Sequence, residues 1–384
     1  MVLEDVCELI ADCPHTTAPD EGKGYPLIRT PNVGKGRLLL EGVHRVSKDI
    51  YDKRNMRAIP QKDDIIFARE APAGNAALIR EGQEVCLGQR TVLIRPDCEK
   101  VFPEYLVYYL LAPEQQYKLL GTANGATVAH VNLPVIRKMP IELPDIDVQQ
   151  KIAGYISIYD DLIENNQRQI KLLEEAAQRL YKEWFVDLRF PGYEDCKIVD
   201  GIPEKWERKR LVDIVDVQYG YAFDGSQFNS VGKGTPIIRI RNIPDGNTAD
   251  FTTEEAEEKY VISNGEILVG MDGEFHINSW SGKDAFLVQR TCCFRPRKRE
   301  MKGWLLWAIY EPIKFYEKTV VGATVSHLGK KHIDSIELLT GPEQLYIPFQ
   351  NYFELRQKLL NQNIVLAEAR DRLLPKLMSG EIEV

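Results

Sequence analysis

The sequence lacks both long apolar runs and paired cysteine motifs. A membrane span would need about 18 uncharged apolar residues in succession, and neither such a run nor a positively charged segment leading into an apolar one is present. We therefore expect a cytoplasmic protein that makes no membrane contact. The seven cysteines contain no CxxC pair, which argues against a disulfide framework and against a zinc site. Cys292 and Cys293 are adjacent, so on a strand they would face opposite sides.

A basic excess is also missing. The formal net charge is −8, which argues against non-specific coating of nucleic acid, because that mode of binding needs a broad basic surface. Two local basic clusters remain, within residues 295–302 and 327–332. Either cluster taken alone is more typical of a solvated face than of a binding site.

Recognisable catalytic motifs are absent from the sequence. It contains no GxxxxGK[ST] loop for phosphoryl transfer, no NPPY or DPPY motif for base methylation, no HExxH motif and no GxSxG nucleophile elbow. Asp20, Glu21 and Lys23 superficially resemble a nuclease motif, but their spacing is too compressed and the neighbouring glycines indicate a turn. We therefore predict that the chain performs no chemistry of its own.

What the sequence does contain is an internal duplication. Three segments of the first half recur in the same order in the second half, at offsets of 210, 200 and 197 residues. Falling offsets are expected for a duplicated domain whose loops have diverged. The matched segments are YPLIRTPNV at 25–33 with TPIIRIRNI at 235–243, QRTVLIRP at 89–96 with QRTCCFRP at 289–296, and GATVAH at 125–130 with GATVSH at 322–327.

A long segment with helical periodicity follows each copy. A seven-residue repeat runs through both segments at a constant offset of 193, which predicts two helices packed as a coiled coil. The alternative is two unrelated amphipathic helices that each cover their own domain. Asn166 interrupts the first stripe and is a candidate for fixing the register, and Pro375 is expected to bend or end the second helix. The stripes comprise Ile152, Tyr159, Asn166, Leu173 and Leu180, with Ile156, Leu162, Ile170 and Ala177 on the intervening face, and then Leu345, Tyr352, Leu359, Leu366 and Leu373.

The part of the chain before each long helix is predicted to be an α+β domain. Turn signals such as Asn264-Gly265 separate short runs that are rich in strand-forming residues. The predicted strands are residues 25–29, 64–68 and 91–94, matched by 236–240, 266–269 and 291–294, and the predicted helices are residues 103–120 and 302–318.

These segments resemble the specificity subunits of type I restriction-modification enzymes, over essentially the whole chain. The first copy has FAREAPAG at 67–74 where the second has VGMDGEF, which suggests that the two copies read different half-sites. The stretches typical of the family in the second copy are GYAFDGSQF at 220–228, GTPIIRIRNI at 234–243, EILVGMDGEF at 266–275, VQRTCCFRP at 288–296 and GATVSHLGKKHI at 322–333.

The resemblance implies two target-recognition domains, residues 1–144 and 191–340, and two helical spacers, residues 145–190 and 341–384. Such a chain is an α+β protein with a pseudo-two-fold internal repeat and two long antiparallel coiled-coil helices. Each domain would read one half of a gapped double-stranded DNA site. The helices would dock two methyltransferase subunits, through which restriction and translocase subunits join. No cofactor is expected on this chain, whereas S-adenosylmethionine, ATP and Mg are expected on the partner subunits.

Candidate DNA contacts follow from the chemistry of base edges. Arg pairs with guanine, Asn or Gln with adenine, and Asp or Glu with cytosine, whereas phosphate contacts only position the protein. For base contacts we favour Arg29, Arg69, Arg239, Arg241, Asp272 and Glu274, with Asn32 and Asn242 beside them. For backbone contacts we favour Thr127, His130, Thr324, His327, Lys330 and Lys331. Gln89, Arg90, Gln289 and Arg290 are also candidates, although these shared residues are the most open to a structural role.

Three other functions stay open at this point. The chain could be a scaffold that joins protein partners through its coiled coil and never contacts DNA. It could be an enzyme whose site is not recognised, which predicts activity in the isolated chain. It could also be the specificity subunit of a related system in which nuclease and methyltransferase share one partner chain. The sequence alone does not distinguish this hypothesis from a type I specificity subunit.

Overall fold

The computed structural model of the protein describes residues 1–121, 130–319 and 326–384. Two compact units are present, unit 1 comprising Met1–Asp161 with Leu366–Val384 and unit 2 comprising Leu162–Val365. Each unit therefore contains one globular part and portions of both long helices. The predicted domain boundaries instead separate the globular parts from the helices, and they stay a prediction.

Unit 1 contains two small sheets. A five-stranded sheet has the order β1-β8-β5-β6-β3, and a three-stranded sheet has the order β4-β2-β7. Strand β5 is buried along its whole length because its two faces contribute to different cores, Ile65 and Phe67 to one and Ile66 and Ala68 to the other. The strands are β1 Cys7–Asp12, β2 Tyr25–Ile28, β3 Gly36–Arg37, β4 Arg45–Val46, β5 Ile65–Ala68, β6 Ala76–Leu78, β7 Cys86–Leu87 and β8 Thr91–Pro96.

Unit 2 repeats this plan with additional short strands. Its sheets have the orders β12-β20-β17-β18, β13-β15-β14-β19-β16, β11-β21 and β10-β9. The strands are β9 Ile198–Val199, β10 Ile202–Pro203, β11 Glu207–Arg210, β12 Val215–Tyr219, β13 Phe228–Asn229, β14 Thr235–Ile238, β15 Phe251–Thr252, β16 Val261–Ile262, β17 Ile267–Gly270, β18 Ile277–Ser279, β19 Ala285–Leu287, β20 Thr291–Pro296 and β21 Glu337–Thr340.

Strand pairing confirms the internal duplication. The order β1-β8-β5-β6 of unit 1 recurs as β12-β20-β17-β18 in unit 2. Both units also contain one parallel pair next to the QRT turn, with Leu27 opposite Cys86 in unit 1 and Ile237 opposite Phe286 in unit 2. Cys292 and Cys293 lie on β20 and pack into different cores, as adjacent residues of a strand must. All seven cysteines are free thiols.

The shorter helices differ from the prediction in one respect. Each helix predicted before a GATV segment is in fact two helices, broken at Ala112 in unit 1 and at Ile309 in unit 2. Pro113 disfavours a helical conformation at the residue before it, and Pro312 cannot donate the hydrogen bond that would continue the helix past Ile309. The helices are α1 Lys48–Arg54, α2 Pro103–Leu111, α3 Pro113–Gly121, α4 Leu133–Arg137, α5 Ile146–Tyr181, α6 Leu211–Ile214, α7 Lys302–Ala308, α8 Tyr310–Thr319, α9 Lys330–Asp334 and α10 Ile347–Met378.

The two long helices contact each other within each unit. In unit 2 the amide of Asn166 donates to Asn363 Oδ1 at 2.9 Å, and Arg356 donates to Glu174 at 2.6 Å, so α5 and α10 run antiparallel there. In unit 1 Arg370 donates to the buried Asp160 at 2.6 Å.

The ends of the long helices refine the predicted heptad pattern. Helix α5 continues into a π-helical turn, Lys182–Val186, which places Phe185 in the unit 2 core. Helix α10 runs through Pro375 and ends three residues later at Met378. Leu345 lies in the turn before α10, so it is not part of the helix. The assignment of Leu162 to the contact face is wrong, because this residue is 44% exposed.

Candidate nucleic-acid interface

In unit 1, three polar side chains meet just after the end of strand β5. One carboxylate oxygen of Glu70 lies 2.5 Å from His130 Nδ1, and the other lies 2.8 Å from Arg90 Nη1. His130 Nε2 lies 2.9 Å from Arg69 Nη2, so Nε2 accepts from that arginine and Nδ1 donates to Glu70. We call Glu70, Arg90 and His130 the unit 1 cluster.

Unit 2 repeats this arrangement after strand β17. Asp272 Oδ1 lies 2.5 Å from His327 Nδ1, and Asp272 Oδ2 lies 3.4 Å from Arg290 Nε. We call Asp272, Arg290 and His327 the unit 2 cluster. Met271 stands where unit 1 has Arg69, so the histidine environment differs between the copies.

The backbone around the two clusters is the same. Arg69 donates its N–H to Arg90 O at 2.9 Å, and Met271 donates to Arg290 O at the same distance. The two cluster arginines have left-handed backbone angles, with φ 64° for Arg90 and 68° for Arg290. The clusters are therefore equivalent sites in the two copies.

Glu70 is the cluster residue that sequence reasoning missed. The loops after β5 and β17 differ in sequence, which hid the correspondence between Glu70 and Asp272. Strand pairing makes it visible, because Ile65 lies opposite Ile94 as Ile267 lies opposite Phe294. The sequence did contain a signal for this correspondence. Glu70 comes three residues after Phe67, and Asp272 comes three residues after the equivalent Val269.

Arg69 was predicted to contact bases but is buried in unit 1. Its Nε donates to Val131 O at 2.9 Å and its Nη1 to Asp12 Oδ1 at 3.1 Å, in addition to the His130 contact. These bonds connect the end of β5 to β1 and to the chain after the GATV segment. The structure gives Arg69 an internal role, and a base contact there remains an untested prediction.

Arg29, Gln89 and Arg90 line one open cleft of about 260 Å³ in unit 1. Among the described residues, the buried Nε of Arg29 has no hydrogen-bond partner. Gln89 donates to His15 O at 2.9 Å on the rim of the cleft. Three of the residues that the sequence predicted as DNA contacts therefore line this one cleft.

In unit 2, Asp250 forms ion pairs with Arg239, which corresponds to Arg29, and with Arg241. Arg239 Nη2 and Arg241 Nη2 lie 2.6 Å and 2.7 Å from Asp250 Oδ1, and Asn242 donates to Asp250 Oδ2 at 3.2 Å. Burial alone would raise the pKa of Asp250, but the hydrogen bonds from Arg239, Arg241 and Asn242 outweigh it and hold the pKa at about 2. Arg239 also lies over the Phe228 ring, 5.4 Å from its centroid. Asp250 was not among the predicted residues.

The two predicted asparagines have the same local role in both units. The side-chain oxygen of Asn32 accepts the Arg29 N–H at 3.2 Å, and that of Asn242 accepts the Arg239 N–H at 2.9 Å. These bonds fix the turn after β2 and the turn after β14. A DNA contact from either asparagine remains an untested prediction.

The remaining predicted residues are exposed or outside the described chain. Glu274 is 66% exposed, with His276 Nδ1 at 3.6 Å. Lys330 and Lys331 are exposed at the start of α9, and Gln289 is exposed in the QRT turn. Thr127 and Thr324 lie outside the described residues.

The family model described as the type I restriction modification DNA specificity domain matches residues 1–175 and 203–342. The chain belongs to this specificity family. The match covers both globular parts, so it confirms the family predicted from the sequence and, with it, the non-catalytic class of the chain.

Full-length relatives agree with this assignment of the specificity chain. The type I restriction enzyme MjaIX specificity subunit of Methanocaldococcus jannaschii is 26% identical over 361 residues, covering 89% of this chain and 83% of the relative. The HindI specificity subunit of Haemophilus influenzae is 23% identical over 403 residues, covering 84% and 87%. The crystal structure of the type I restriction-modification system S subunit from M. genitalium has a TM-score of 0.54 at 17% identity, covering 98% and 95%, which shows a shared fold.

Among the described helices of the specificity chain, none is both long enough and apolar enough to cross a membrane. In the same residues, no group of three or more His, Cys, Asp or Glu side chains is arranged to hold a metal ion.

Proposed function

We propose that this chain selects the DNA sequence on which a type I restriction-modification enzyme acts, with each unit reading one half of a gapped site. The observation that carries the proposal is the repetition of one α+β scaffold with polar side chains at equivalent strand ends. A scaffold used twice by one chain suits a target with two parts.

Differences between equivalent positions identify the candidate readers. Arg239 forms an ion pair with Asp250, whereas the buried Nε of the equivalent Arg29 has no hydrogen-bond partner among the described residues. Unit 2 has Arg241 where unit 1 has Pro31, and it has the exposed Glu274 in a loop that differs between the copies. Side chains with different donors and acceptors would distinguish different bases.

Partner subunits would supply the chemistry. We place two methyltransferase subunits on the long helices and restriction and translocase subunits beyond them, with S-adenosylmethionine, ATP and Mg bound by those partners in the cytoplasm. Exposed apolar side chains on the helices support docking there, because such residues usually mark interaction surfaces. They include Tyr155, Ile158, Leu172 and Val365.

Mapping of methylated bases tests the proposal. The chain is co-expressed with the methyltransferase encoded beside it, and methylated bases are located across the host DNA at single-base resolution, with the methyltransferase alone as the control. We expect one gapped motif that is modified once on each strand and only when the chain is present. Co-purification of the two proteins without any motif would contradict the proposal and favour a scaffold.

A further inference from the structure

The unit 1 and unit 2 clusters have the same chemistry although the residues around them differ. In both, a carboxylate bridges a histidine and an arginine, and the arginine precedes an equivalent strand. The same residue type at the equivalent position of both units does not distinguish two different half-sites. It suits a feature that all duplex DNA shares, and the sugar-phosphate backbone is that feature.

The backbone conformation indicates that the arginine side chain itself is needed. Arg90 and Arg290 both have positive φ, a conformation for which Gly or Asn is the usual residue. If the turn were the only requirement, glycine would adopt this backbone conformation with less strain. Both copies nevertheless have arginine here, so its side chain has a role that the turn does not explain.

Exposure shows which group of each cluster faces solvent. The side chains of Arg90 and Arg290 are 61% and 57% exposed, whereas those of Glu70 and Asp272 are 17% and 30% exposed. The carboxylate contacts the guanidinium at Nη1 in Arg90 and at Nε in Arg290, and more than half of each arginine side chain is exposed to solvent. An arginine held in this way loses less side-chain freedom when it binds an anion.

We propose that Arg90 and Arg290 each bind one backbone phosphate of DNA, one in each half-site, and that Glu70 and Asp272 position them. The inference rests on the proposed function and assigns two of its candidate residues the same specific role in the two units. His130 acts through Glu70, which it contacts at 2.5 Å. His327 contacts both Asp272, at 2.5 Å, and Arg290 Nη1, at 3.3 Å.

The test measures how DNA binding by the complex of this chain with its methyltransferase depends on salt. Affinity is determined from about 50 to 200 mM salt for a duplex with the mapped motif and for a scrambled duplex. Affinity that depends on phosphate contacts falls steeply over this range. Arg90→Gln and Arg290→Gln should each lower the slope of log affinity against log salt by about 0.9, and the double variant by about twice that. Both duplexes should lose affinity alike, and the methylated motif should not change.

Two further variants separate a phosphate contact from a structural role. Arg90→Lys keeps the charge and should keep the wild-type slope. Arg189→Gln removes a 51% exposed arginine paired with Glu183 and Asp187, and it should leave the slope unchanged. An unchanged slope in Arg90→Gln and Arg290→Gln, or a motif altered at one base, would overturn the inference. If the wild-type complex does not prefer the mapped duplex, the proposed function itself fails.

Discussion

Asp250 is the residue that organises the predicted readers of unit 2. It accepts hydrogen bonds from Arg239, Arg241 and Asn242, which lie on the turn after β14. These bonds hold two arginines side by side that would otherwise repel each other. The carboxylate is therefore a positioning group for unit 2.

We predict that Asp250→Asn destabilises unit 2 by about 2 kcal/mol near neutral pH, from a pKa of about 2 against about 3.9 when unfolded. Because the folded pKa is the lower one, this contribution is present above about pH 4 and disappears as the pH falls through 2. Urea unfolding should give a constant difference between wild type and variant from about pH 5 to 8, shrinking below about pH 4.

Asp245→Asn is the control for this measurement. Asp245 is exposed and lies five residues before Asp250. Its removal should leave the free energy of unfolding within about 0.5 kcal/mol of wild type. If wild type and Asp250→Asn had the same free energy of unfolding at pH 7, or if the difference between them grew as the pH fell, Asp250 would not act as described.

The chemistry of the site was partly predictable from the sequence. Arg90, His130 and their counterparts were recognised because the motifs around them recur in order. Glu70 was missed because the loop after β5 has diverged, and Asp250 because its contact with Arg239 depends on the pairing of β14 with β15. Periodicity and repeats indicate which residues matter, but not which residues meet across a sheet.

At the level of elements, the pair α5 and α10 depends on buried polar contacts as well as apolar packing. Asn166 is 8% exposed and bonds Asn363 on the neighbouring helix. Arg356 is equally buried and bonds Glu174, Ser279 and Asn278. Such contacts fix register, because a shifted helix would leave each polar group buried without a partner.

We predict a coupling of about 1 kcal/mol between Asn166 and Asn363 in a double-mutant cycle with alanine. Each single variant removes the hydrogen-bond partner of the other amide. The two decreases in the free energy of unfolding should therefore not add. Urea unfolding of the four proteins measures the coupling. The exposed pair Glu175 and Arg179, at 3.7 Å, is the reference and should give about 0.3–0.5 kcal/mol. Additive effects at the asparagines would contradict a role in register.

Element types were predicted more securely than their ends. The six predicted strands are all present, because short β-branched runs between turn residues leave few alternatives. The breaks before Pro113 and at Ile309 could have been predicted from Pro113 and Pro312, but each helix was predicted to run through its proline. The exposure of Leu162 was not predictable, since a seven-residue repeat indicates a stripe without stating where contact between the helices ends.

For the molecule as a whole, we propose that the two units read DNA independently. The chain has a net charge of −8, so affinity for DNA must come from local groups and from its partners rather than from a basic surface. The shared clusters would contribute binding that does not depend on sequence. The divergent residues would contribute the selection of one half-site each.

Methylation mapping of single-unit variants tests this claim most directly. Arg29→Gln alters unit 1 at an arginine whose buried Nε has no hydrogen-bond partner among the described residues, and Glu274→Gln alters unit 2 at a 66% exposed carboxylate. We expect both variants to fold. Each is co-expressed with the methyltransferase, and the methylated motif is compared with that of wild type. We predict that each variant relaxes or changes one half of the motif and leaves the other half intact. A change in both halves from a single variant, or in neither half from both variants, would contradict the claim.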